Sequence, residues 1–138
     1  MQHTTIRAAA AGTLALILAG LGVGTVAGAA EARGGNDGVR AAGHCSGSTV
    51  WKLKAKPDDR RLEVELEIDS RRNGQRWSVA VADNGVRVFT GARRTHAPSG
   101  SFEVERRIAD RAGSDRITAA ARNTVTGERC YGRVTLTP

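Results

Sequence analysis

Aromatic side chains are scarce in this chain: two Trp, two Phe and one Tyr among 138 residues. A core must therefore be mainly aliphatic, and a broad platform of rings for stacking nucleobases is out of reach. Cysteine is limited to Cys45 and Cys130, and histidine to His3, His44 and His96, too few ligands for a zinc-type site. Lysine is nearly missing as well. Of 21 basic residues only Lys52, Lys54 and Lys56 are lysines, and 14 acids leave a formal net charge of +7. Arginine excess of this kind also arises in GC-rich genomes, so its meaning depends on where the arginines land. No Gly-rich phosphate loop follows a strand, no N-x-[ST] sequon occurs, and no nucleophile elbow is present. These absences argue against an enzyme, and the length allows one domain.

The one long apolar run lies at the N-terminus. Met1 to Arg7 carries a single positive charge, Ala8 to Ala30 carries none, and Ala27-Gly28-Ala29 forms an A-x-A cleavage pattern before Glu31. This predicts a signal peptide over residues 1–29 and a secreted or envelope-located product. The run is long enough to serve as an uncleaved anchor if tilted. Its Ala and Gly make it only mildly apolar, however, and no basic cluster stops it. No Cys follows the run directly, so the lipid-attachment pattern is missing. Cleavage removes only Arg7, which lowers the net charge from +7 to +6. In an oxidising compartment the two cysteines are expected to pair as Cys45–Cys130, with no metal and no cofactor.

Residues 30–44, mostly Gly, Ala and charge, read as a flexible linker, and residues 45–138 as a β-sandwich domain. Seven strands are predicted from period-two alternation: A over 49–56, B over 61–69, C over 76–82, C′ over 86–90, E over 101–108, F over 116–123 and G over 129–137. Strand B is the cleanest, Leu62, Val64, Leu66 and Ile68 alternating with Glu63, Glu65, Glu67 and Asp69. Pro57-Asp58-Asp59 supplies the turn before it, and Asp83-Asn84-Gly85 marks a tight C–C′ hairpin. That hairpin favours sheet A-B-E facing sheet C′-C-F-G, an immunoglobulin-like or fibronectin III-like arrangement. Both cysteines share the inward parity of their strands.

Asp69-Ser70-Arg71-Arg72-Asn73-Gly74 imitates the start of a calcium loop, but Arg71 stands at a ligand position and Ala80 at the twelfth. Ser99 and Ser101 lie near His96 without hydrolase context. The stretch from Cys45 to Thr135 resembles small Arg-rich secreted actinobacterial proteins of uncharacterised function. The resemblance is carried by Trp51-Lys52-Leu53, Asn73-Gly74-Gln75-Arg76-Trp77, Pro98-Ser99-Gly100-Ser101-Phe102 and Thr126-Gly127-Glu128-Arg129-Cys130. It implies no activity and no binding residues.

If the apolar parity of each strand faces inward, the outer face of C′-C-F-G presents Arg76, Arg87, Phe89, Arg116, Arg122, Arg129, Tyr131 and Arg133 with no acid among them. Outside A-B-E, by contrast, lysines meet glutamates. The plainer reading is that these arginines solvate the sheet and guard its edges. The functional reading is a non-enzymatic anion-binding face for anionic cell-wall polymer, acidic polysaccharide or extracellular nucleic acid. Two alternatives stand beside it: an inhibitor that inserts the basic 91–100 loop into a hydrolase, and a purely structural envelope domain.

Overall fold

The computed structural model describes residues 31–32 and 37–138, all-β with two antiparallel sheets packed over a shared core. The expected signal peptide, residues 1–29, lies outside the described residues. The strands are β1 (Glu31–Ala32), β2 (Val39–His44), β3 (Val50–Asp58), β4 (Arg61–Asp69), β5 (Arg76–Asp83), β6 (Val86–Arg94), β7 (Ser101–Ala109), β8 (Asp115–Asn123) and β9 (Arg129–Leu136). One sheet has the order β1-β2-β3-β4-β7, the other β6-β5-β8-β9. Predicted strands A, B and E are thus β3, β4 and β7, and C′, C, F and G are β6, β5, β8 and β9. The neighbours are as expected.

Alternation builds the core. Leu62, Val64, Leu66 and Ile68 of β4 are fully buried, and their register sets Leu66 beside Leu53 of β3 and Val104 of β7. From the other sheet come Trp77, Val79 and Val81 of β5, Ile117 of β8 and Val134 of β9. The interior is mostly aliphatic, as expected, yet its largest fully buried side chain is Trp77, which meets Phe102 at a tilted 6.5 Å between ring centroids.

Three strand predictions need correction. Residues 30–44 are not a linker throughout, because Val39–His44 pairs along β3 from Val39↔Ala55 to His44↔Val50. The inward residues of β2 are Val39, Ala41 and Gly43, too small to give a strong hydrophobic alternation. They are small for a reason. The half-buried Trp51 lies between Gly43 on the neighbouring strand and Gly132 on the facing sheet. A Cβ on Gly43 would sit 2.9 Å from the indole, and one on Gly132 would sit 2.6 Å away. Second, the turn between β3 and β4 is Asp59-Arg60, both at positive φ as a two-residue hairpin of matching twist requires, and Pro57 and Asp58 belong to the strand. Third, C′ does not stop at Thr90. Gly91–Arg94 stay paired to Arg76–Val79, so β6 has nine residues.

Cys45 and Cys130 form the expected disulfide, 85 residues apart in sequence with Cα atoms 4.2 Å apart. Cys45 sits in the turn between β2 and β3, where its N–H donates to the Thr49 carbonyl at 2.8 Å. The same turn is tied again to the start of β9. The Ser46 N–H donates to the Arg129 carbonyl, and Glu128 accepts from both the N–H and the hydroxyl of Thr49.

Candidate anion-binding face

The outer face of β6-β5-β8-β9 is best described in rows of cross-strand partners. Arg94 stands beside Arg76. The next row is Ala92, Ser78, Arg122 and Arg129, followed by Thr90, Ala80, Ala120 and Tyr131, then by Arg87, Ala82, Thr118 and Arg133. Arg116 and Thr135 close the face at the hairpin end. All seven arginines are exposed. No carboxylate shares the face, and among the described residues none of the seven is in an ion pair.

Sequence parity therefore places six of the expected arginines and Tyr131 correctly. It misses Arg94, because C′ was expected to end four residues early and because an unbroken alternation from Arg87 would turn Arg94 inward.

Phe89 is the misplaced member. A β-bulge inserts Val88 between Arg87, the partner of Ala82, and Phe89, the partner of Val81. The extra residue reverses the parity of everything beyond it. Phe89 thus points inward, half-buried against the core at the open side of the sandwich. Two guanidinium groups cover it there, Arg93 at 4.8 Å and Arg106 at 4.4 Å from the ring centroid. These cation–π contacts place both arginines on a structural side chain, away from the candidate face.

The middle of the face is a shallow groove of about 440 Å³, lined by Ala80, Thr90, Ala120, Arg122, Arg129 and Tyr131 among others. Alanines on adjacent central strands leave its floor low, while Tyr131, 61% exposed, stands as a wall. Such a volume is within the range of small-ligand sites.

The opposite outer face differs. Lys52 meets Glu67 at 3.3 Å and Lys56 meets Glu63 at 2.8 Å, while Arg107 pairs with Asp58. Toward β7 the glutamates face one another, Glu65 beside Glu105 and Glu67 beside Glu103. Partial burial, and then the carboxylates of Glu65, Glu105 and Glu67, push the Glu103 carboxyl above its ordinary value. Lys52, Lys56 and Arg107 there have local acid partners. The cations on the arginine face do not.

The other sequence candidates resolve into local structure. Thr95 is buried and its N–H donates to the Gln75 carbonyl, while the His96 N–H donates to the Ser101 carbonyl. The expected 91–100 loop is thereby reduced to a short bridged turn. Ser99 and Ser101 share a hydroxyl hydrogen bond of 2.6 Å. Asp69 Oδ1 accepts the Arg71 N–H, which closes the calcium-like segment on itself. Comparison of the chain with protein-family models, curated proteins and solved structures gives no match.

Proposed function

We propose that this protein is an exported, non-enzymatic module that holds anionic polymers on the outer face of β6-β5-β8-β9. The observation that carries the reading is the set of seven exposed arginines, unpaired among the described residues, around an alanine-floored groove. Each guanidinium offers a planar fork of donors to phosphate or carboxylate oxygens, and no neighbouring acid competes for it. Their summed field attracts polyanions before contact. The apolar N-terminal run and the disulfide support export to an oxidising compartment, where wall polymers, acidic polysaccharide and free nucleic acid are found. The strand order supports kinship of form with immunoglobulin-like and fibronectin III-like sandwiches, which carries no activity with it.

The test is salt-dependent binding to heparin, duplex DNA and teichoic acid. The logarithm of the binding constant should fall linearly with log salt, with a slope of about minus one per phosphate contacted on the duplex. Arg122→Ala with Arg133→Ala should weaken binding and flatten that slope, while Lys52→Ala with Lys54→Ala should leave both unchanged. If the lysine and arginine pairs prove indistinguishable, or nothing binds in low salt, the arginines are only a solvated surface.

A further inference from the structure

The arginines are not spread evenly over the face. Arg122 and Arg129 are direct cross-strand partners and form one tier. Arg133 stands two rows further along on β9, with Arg116 beyond it on β8, while Arg87 shares the Arg133 row from β6 at the opposite edge of the sheet. Arg133 is four positions beyond Arg129, so the tiers are about 13 Å apart along the strand. The row between them, Thr90, Ala80, Ala120 and Tyr131, carries no charge, and together with the Arg122–Arg129 tier it lines the groove. A ligand laid along β8 and β9 therefore meets charge, then an apolar floor with one ring, then charge.

We infer that the preferred ligand is an acidic polysaccharide in which charged and neutral sugars alternate, a refinement that rests on the polyanion reading above. A sugar ring has an apolar face of C–H groups, which the Ala80–Ala120 floor and the Tyr131 ring accept, and rim hydroxyls, for which Thr90 offers a partner. The flanking uronate carboxylates fork onto Arg122 and Arg129 at one end and onto Arg133, with Arg116 beyond it, at the other. A polymer charged at every unit fits less well, because it sets an anion over the uncharged middle row. Single-stranded nucleic acid has that defect and also finds one ring where successive bases need several.

The experiment compares three probes of equal charge number in low salt: a hyaluronan oligosaccharide, an oligogalacturonate and an oligo(dT). Fluorescence anisotropy on the purified protein gives the affinities. The alternating glycan should bind about tenfold tighter than either of the others, the worth of one ring contact. Tyr131→Ala should abolish that margin without changing the salt slope, and Tyr131→Phe should keep it. Arg122→Ala with Arg129→Ala should weaken all three probes. Equal affinities, a margin that survives Tyr131→Ala, or oligo(dT) binding tightest would overturn the inference while the polyanion reading stands. Failure of every probe to bind would overturn both.

Discussion

Asp83 closes β5 and Asp115 opens β8, and both turn inward at one end of the sandwich, with 1% and 2% of their surface exposed. One carboxylate oxygen of each has no hydrogen-bond partner. Among the described residues the one ion pair they make is with Arg111, whose Nε is 3.7 Å from Asp83 Oδ2. Burial, and then the charges of Asp83 and Asp110, push the Asp115 carboxyl up to about 6 from an ordinary 3.8, against a hydrogen bond from the Arg111 backbone that lowers it. A rise of that size means that ionised Asp115 costs the folded state about 3 kcal/mol at neutral pH. Between pH 3.8 and 6 the folded chain holds a proton that the unfolded chain has released, so stability falls as pH rises through this window. Asp115→Asn removes the charge and keeps a group that can donate to Asp83. It should stabilise the protein by about 2–3 kcal/mol at pH 7.5 and make no difference near pH 3.5. Urea unfolding midpoints at half-unit pH intervals would read this directly. The raised carboxyl of Glu103 acts in the same direction in both proteins and cancels in the comparison, and the raised Lys56 ammonium titrates far above the window. A variant destabilised equally at every pH would refute the reasoning, since Asp115 would then be a satisfied structural carboxylate.

Two further outcomes test the packing. Cys130→Ala should lower stability by roughly 2–5 kcal/mol, and thiol labelling of the native protein should find no free cysteine; two reactive thiols in a stable fold would contradict the bridge. Gly132→Ala should cost about 1–3 kcal/mol by forcing a methyl group against the Trp51 indole, and Trp51→Leu in that background should recover part of the loss. A neutral Gly132→Ala, read by the same denaturation curves, would mean the indole is free to move aside.

How much of this was legible from the chain depends on how many residues each signal needed. Strand β4 announces itself, because its four inner residues are large and its outer ones charged. Asn84-Gly85 marks the hairpin in two residues, at φ values of 47° and 82°. The cysteines are readable because there are only two. Strand β2 is hidden by its own packing, since the space at Gly43 is already filled by Trp51, and nothing local reveals that. The arginine face was legible to the extent that period two persists. It persists along β5, β8 and β9, and one inserted residue at Val88 ends it on β6. Phe89 was therefore assigned to the wrong side, while Arg94, on the corrected parity, joins the face.

The disulfide has a mechanical meaning. It joins the β2–β3 turn to the first residues of β9, so the strands from β3 to β8 lie between two points that are covalently shorted together. Tension applied through the chain on either side of the bridge passes from Cys45 to Cys130 directly. The 85-residue separation between them, about 300 Å of extended polypeptide, cannot pay out while the bond is intact. Force can peel β2 and the length of β9 beyond Cys130. The three strands β5, β6 and β8, which carry most of the arginine face, lie wholly inside the shorted loop, so no end-to-end tension runs along their backbones.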